Sequence, residues 1–176
     1  MFFLQMSGFP GAGKSTLARE IAKRKIVVII DHDVTKSSLM KYFQNENYPQ
    51  LNLGKVAYEV DFDLVEHHLS LGQNVILDSP CLYEEIITKG RALAKKYHAD
   101  YRYIECNLND FKLTNSRLSE RQTMLSQIKA VREETSYLHT LKHTKYPENY
   151  QYITVDTKQP IDRYIDVVMA YLEADP

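Results

Sequence analysis

The stretch Gly8-Phe9-Pro10-Gly11-Ala12-Gly13-Lys14-Ser15-Thr16 fits the pattern G-x-x-x-x-G-K-[ST] at every fixed position. That pattern constrains the fold on both sides. It needs a strand running into the first glycine and a helix starting at the lysine, because that junction gathers consecutive backbone N–H groups and a positive helix end around an anion. Phe2-Phe3-Leu4-Gln5-Met6 reads as the strand, and Thr16 to Lys23 as the helix. Glycines keep Cβ atoms out of the way of the phosphates. The stretch is therefore a nucleoside triphosphate site, with Gly8, Gly11, Ala12, Gly13, Lys14, Ser15 and Thr16 as its binding residues. Lys14 is placed to reach the β- and γ-phosphates, and the Ser15 hydroxyl to ligate Mg²⁺.

Strand and helix patterns then alternate along the chain. Ile26 to Ile30 is a continuous β-branched run that ends in Asp31-His32-Asp33, and Val34 to Phe43 reads as a helix with Asp33 as its N-cap. A helix from Lys55 to Leu71 follows, with Val56, Val60, Leu64 and Leu71 as its apolar positions and Gly72 to end it. Val75 to Leu77 is a buried strand delivering Asp78, Tyr83 to Tyr97 an amphipathic helix, and Tyr101 to Cys106 another strand. Asn107 to Arg121 reads as helix, and the helical pattern extends from Gln122 through Leu141. Gln151 to Val155 is a fifth strand, and Pro160 opens a terminal helix whose Ile161, Ile165, Val168 and Leu172 form one stripe. This alternation predicts a parallel α/β sheet, whose ligand crevice lies beyond the carboxyl ends of the strands.

Asp33 and Asp78 should therefore face the crevice that holds the phosphate loop. A carboxylate near the γ-phosphate can accept the proton of an attacking hydroxyl, and Asp33 is the candidate for that work. Lys36, one helical turn on, is placed to hold an anionic substrate group. Asp78 is placed to hold Mg²⁺ through water or to bind substrate. Arg117 and Arg121 share a helical face at i and i+4, a spacing that can clamp a transferred phosphoryl group when a lid closes. The loops around Asn45 to Gly54 and Pro80 to Glu85 would shape the acceptor side. His67 and His68 are adjacent on a helix, point in different directions and make no two-histidine metal site.

At 176 residues the chain suits one domain, residues 1–176, with a lid at about 112–145. It has no apolar run near the length of a membrane span, and a cytoplasmic location is expected. Cys81 and Cys106 lack C-x-x-C or zinc spacing and read as two reduced thiols. A net charge of −1 and a pI near 6.6 provide no basic footprint of the kind nucleic-acid binders carry, so a nucleic-acid partner is not favoured. Charge is uneven, however: residues 112–145 carry seven Lys and Arg against three Asp and Glu, a balance that suits phosphate handling.

With the phosphate loop, Asp33 and the arginine segment assembled, the chain resembles the small P-loop kinases related to polynucleotide 5′-hydroxyl kinase, zeta-type toxins, gluconate kinase and chloramphenicol phosphotransferase. Asp33-Val34-Thr35-Lys36 matches that group's D-x-x-[RK], which carries a catalytic aspartate and a substrate-binding basic residue. Arg117-Leu118-Ser119-Glu120-Arg121 matches its lid motif R-L-x-x-R. The resemblance implies a P-loop NTPase, a three-layer α/β/α fold with a five-stranded parallel sheet in the order 2-3-1-4-5 and a helical lid. It also implies ATP and Mg²⁺ as cofactors. Polynucleotide kinases usually carry arginine where this chain has Lys36, and lysine loses bidentate phosphate recognition. The first reading is thus an ATP-dependent kinase acting on a hydroxyl of a small molecule. The alternatives are a polynucleotide 5′-hydroxyl or nucleotide-sugar acceptor, or a nucleotide-dependent switch. For the switch, no [NT]-K-x-D guanine motif is present, since Thr157-Lys158-Gln159 runs into Pro160.

Overall fold

The computed structural model describes residues 1–44 and 52–174. Five strands run parallel in the order β2-β3-β1-β4-β5: β1 Phe2–Ser7, β2 Val28–Asp31, β3 Val75–Asp78, β4 Asp100–Asn107 and β5 Ile153–Asp156. Helices α1 Lys14–Arg24, α2 His32–Phe43, α3 Leu53–Ser70 and α4 Glu84–Lys96 lie between the first four strands. Helices α5 Phe111–Glu120 and α6 Glu134–His143 separate β4 from β5, and α7 Ile165–Glu173 closes the described chain. Among the described residues no helix is long and apolar enough to cross a membrane.

The strands are buried on both faces because alternate side chains feed two separate cores. On one face Phe2, Leu4 and Met6 of β1 pack with Leu17 and Ile21 of α1 and Val168 and Leu172 of α7. On the other, Phe3 packs with Phe62 and Val65 of α3, Ile87 of α4 and Tyr101 and Tyr103 of β4. Gln5 points into the second face and is fully buried. Its amide is satisfied at both ends: Nε2 donates to the Ile86 carbonyl, and Oε1 accepts from the Tyr101 hydroxyl. Gly90 makes room for it.

Three sequence expectations are corrected. Helix α2 starts at His32 rather than Val34, and its cap is Asp31, not Asp33, because the Asp31 carboxylate accepts the Asp33 N–H at 2.9 Å. The Asp33 side chain is thereby released from capping. Helix α3 buries Ala57, Asp61, Phe62, Val65 and Leu69, whereas Val60, Leu64 and Leu71 are exposed. A count of aliphatic positions misses this face because Asp61 sits in it. That carboxylate is buried at low cost, since His32 and Thr35 bond its two oxygens. Third, residues 121–133 are not helical. Their polar groups bond to side chains in place of a helical ladder: Asn115 exchanges two hydrogen bonds with the Val131 backbone, and the Ser126 N–H goes to Ser37 Oγ. The acceptor-side loop read at Asn45 to Gly54 lies outside the described residues over 45–51.

A Cβ on Gly90 would sit 2.2 Å from Gln5 Oε1, and the two bonds holding that amide leave it nowhere to go. Gly90→Ala should therefore destabilise the fold by about 1–3 kcal/mol, read as a lower urea midpoint at an unchanged m-value. An unchanged midpoint would show that Gln5 moves freely.

Candidate active site

The phosphate loop has the backbone that its glycines permit. Gly8, Gly11 and Gly13 have φ of 139°, 88° and 88°, and a Cβ on Gly8 would lie 2.5 Å from the Cys106 carbonyl oxygen. The loop is thus wedged at the end of the central strand, between β4 and the residues after β3, where the Gly8 N–H bonds the Pro80 carbonyl. Helix α1 begins at Lys14 with no side-chain cap and no acidic residue in its first turn. Its first amides and positive dipole end are therefore left for an anion. Lys14 is buried, and its ammonium donates to the Gly8 and Phe9 carbonyls at 2.8 and 3.3 Å. Ala12 is buried behind the loop, Ser15 is half-buried and Thr16 exposed.

Two carboxylates meet at the ends of neighbouring strands, because the parallel register sets Asp31 directly beside Asp78. Asp78 is buried, and its Oδ2 has no hydrogen-bond partner. Burial raises its pKa above the ordinary carboxylate value, Asp33 adds to the rise, and Lys14 and Ser15 partly offset it. Burial also raises the pKa of Asp31, and the charges of Asp78 and Asp33 raise it further. A buried acceptor with no donor, next to a hydroxyl at a phosphate loop, fits a hard divalent cation. Mg²⁺ takes one or two carboxylates and completes its shell with phosphate oxygens and water. Among the described residues no group of three or more His, Cys, Asp or Glu forms an all-protein metal cage.

Asp33 faces the same crevice and is held by the segment after α5. Its Oδ1 accepts from Ser126 Oγ at 3.0 Å and its Oδ2 from Gln127 Nε2 at 2.8 Å. Arg117 and Arg121 lead in different directions. The Arg117 guanidinium donates to the Thr157 carbonyl at 2.6 Å, near Gly13, while Arg121 donates to the Ile128 carbonyl at 2.9 Å. Burial lowers the pKa of Arg121, and the Asp33 charge opposes that shift. Lys36 is half-buried, with its ammonium against Gly54. Lys14, Ser15, Asp33, Lys36, Asp78, Arg117 and Arg121 all line one cavity of about 1090 Å³. Its size is at the upper end of the range for single-ligand pockets, which suits two ligands side by side.

Two further groups take part in this architecture. His32 is buried and stacked on Tyr58, with ring centroids 4.0 Å apart, and its Nδ1 lies 2.7 Å from Asp61 Oδ2. Both rings line the cavity. The one sequence signal is the position of His32 between Asp31 and the candidate Asp33; Asp61 lies too far along the chain to be paired with it. Tyr137 of α6 packs edge-on against Phe9 of the phosphate loop at 4.9 Å and bonds the Leu108 carbonyl through its hydroxyl. No local pattern marked it. The free thiols Cys81 and Cys106 are buried, and burial pushes both up to about 12, which leaves them as inert thiols at neutral pH.

Comparison with known proteins agrees with this fold. A family model described as an AAA domain matches residues 4–138. No curated protein sequence matches the chain. Among solved structures, a sugar kinase from Janibacter sp. superposes with a TM-score of 0.70 at 14% identity, covering 100% of this chain and 96% of the other. A gluconokinase from Sinorhizobium meliloti 1021 reaches 0.65 at 16% identity over 97% and 91%. Kti12 from Chaetomium thermophilum, in complex with ADP-AlF3, reaches 0.67 at 16% identity over 98% and 100%. The chain thus has the fold of the small P-loop kinases.

The raised pKa of Asp78 has a sign that can be measured. The folded chain holds the Asp78 proton more tightly than the unfolded chain, whose carboxylate titrates near 3.9, so this group costs stability as pH rises from about 4 through its folded pKa. Asp78→Asn should therefore raise the melting temperature at pH 7, with the gain shrinking toward pH 4. The same change should abolish the Mg²⁺ dependence of nucleotide affinity. A variant less stable than the parent at pH 7, with the Mg²⁺ dependence intact, would contradict both roles.

Proposed function

The chain belongs to the AAA domain family, and on that footing we propose that it is an ATP-dependent phosphotransferase that moves the γ-phosphoryl group to a hydroxyl of a small-molecule acceptor. The observation that carries this reading is one cavity that combines a phosphate loop, the unpartnered Asp78 oxygen and Asp33. A site built only to hold a nucleotide has no use for a second carboxylate at the γ-phosphate end.

Each residue has a distinct task. The loop amides of Gly8 to Thr16 cradle the phosphates, and Lys14 exchanges its two carbonyl partners for phosphate oxygens. Ser15 and Asp78 are the residues that would hold Mg²⁺, which neutralises charge on the transferred group when bound. Asp33 orients the acceptor hydroxyl in line and takes its proton. Arg121 stands on the Asp33 side, and Arg117 swings from the Thr157 carbonyl to complete the clamp. Thr157, Gln159, Pro160 and Tyr164 line the nucleotide end of the cavity, whereas Lys36, Tyr58 and Tyr83 line the other. That end offers single cations beside aromatic rings and no basic stripe, which favours a compact hydroxylated acceptor over a nucleic-acid strand. The sugar kinase and gluconokinase among the structural neighbours point the same way. Buried free thiols and ATP dependence both suit the cytoplasm.

Radiolabelled ATP offered with pools of sugars and polyols, nucleosides, and 5′-hydroxyl oligonucleotides tests the reading, with label expected in a small-molecule pool. Transfer to oligonucleotides alone would replace the acceptor class, and tight nucleotide binding without any transfer would replace the activity. Asp33→Asn should retain nucleotide affinity while transfer falls about 10²–10⁴-fold. Arg117→Ala and Arg121→Ala should lower kcat more than ATP affinity. Unchanged kcat in both would remove the clamp.

A further inference from the structure

The hydroxyl that Asp33 holds in this structure belongs to the chain itself. Ser126 Oγ lies 3.0 Å from Asp33 Oδ1, within the distance at which a general base meets the hydroxyl it activates. The orientation of its proton is set by the neighbours. Ser37 Oγ donates to Ser126 Oγ at 2.9 Å, so the Ser126 proton must turn toward Asp33, where the carboxylate and the backbone carbonyl are its acceptors. A hydroxyl oxygen has two lone pairs; one accepts from Ser37, and the other remains for attack. Gln127 Nε2 occupies Asp33 Oδ2 and thereby leaves Oδ1 to Ser126. The Ser126 N–H bonds Ser37 Oγ, which pins the backbone. Ser126 lines the same cavity as Lys14, Ser15 and Asp78.

From this we infer that Ser126 is a self-phosphorylation site: its hydroxyl takes the acceptor position on Asp33 and receives the γ-phosphoryl group of a bound nucleoside triphosphate when no small acceptor is present. The inference rests on the phosphotransferase reading above. In the step, a bond forms between Ser126 Oγ and the γ-phosphorus while the bond to the bridging oxygen breaks. The electron pair leaves with the β-phosphate of ADP, and the Ser126 proton passes to Asp33. The product places a phosphoserine of nearly two negative charges beside Asp33 and Asp31, and repulsion drives the segment 121–133 off the carboxylate. Phosphorylation thus opens the site that Ser126 had occupied.

The test incubates the purified full chain with Mg²⁺ and ATP, with and without the small-molecule pools, followed by intact mass and peptide mapping. The expected result is the gain of one phosphoryl group on Ser126, at a first-order rate independent of protein concentration, and its loss in Ser126→Ala and Asp33→Asn. Amide exchange gives a second readout. The Ser126 amide should be protected in the unmodified protein without nucleotide and exchange faster after modification. No label on Ser126 in the arm without acceptor, with label on a small acceptor in the other arm, would overturn this inference and leave the phosphotransferase reading standing. A protein that binds ATP but transfers label to no acceptor and to no residue would overturn both. Modification at other residues, or at a rate that scales with concentration, would also overturn it.

Discussion

Like charges held close together set the conditions for everything else in this molecule. The parallel register brings Asp31 beside Asp78 at the carboxyl ends of β2 and β3, and the first turn of α2 adds Asp33. Three carboxylates in one crevice repel, and burial worsens the cost for Asp31 and Asp78. The fold offsets this only in part. Asp31 is relieved by the Asp33 N–H, Asp33 by Ser126 and Gln127, and Asp78 by the nearby Lys14 charge, but Asp78 Oδ2 is left without a partner. A chain under selection for stability alone would not keep that arrangement. The residual cost is one that a bound cation would remove, so the imbalance that weakens the fold favours cation binding.

How much of this was legible beforehand depends on how local each signal is. The phosphate loop, the alternation of strands and helices and the crevice position of Asp33 and Asp78 follow from patterns within a few residues, and each is where the patterns placed it. The strand order 2-3-1-4-5 came from family resemblance, since nothing local orders parallel strands. Two of the three corrected expectations turn on long-range contacts and one on a local choice. Capping by Asp31 instead of Asp33 turns on a two-residue choice among adjacent acidic residues. The buried face of α3 is invisible to an aliphatic count because its polar member, Asp61, is hydrogen-bonded by partners 26 and 29 residues away. The segment 121–133 carries a helical composition, yet its backbone is satisfied by Asn115 and by Ser37, the latter 89 residues distant. Side chains that replace a helical ladder leave no periodic trace.

Helices α5 and α6 and the segment between them are attached in two unlike ways. At its base, apolar contacts join it to the phosphate loop: Phe9 packs edge-on against Tyr137, and Leu118 closes over Gly11 so tightly that a Cβ there would lie 3.3 Å from its side chain. Tyr137 also binds the Leu108 carbonyl and accepts the Asp110 N–H, which ties α6 to the start of α5. The base of this segment is therefore built as one packed unit with the phosphate loop. At its tip, the segment 121–133 meets α2 through half-buried hydrogen bonds to Asp33 and Ser37.

Packing of that kind is slow to rearrange, whereas a few solvent-accessible hydrogen bonds exchange readily for others of equal strength. The phosphate loop and Asp33 are thus held in different ways, the loop by an apolar clasp and the carboxylate by a hydrogen-bonded strap. A substitution in the strap changes the groups that meet Asp33 without touching the clasp. The phosphate loop is held by packing, whereas the contacts to Asp33 are polar and individually replaceable.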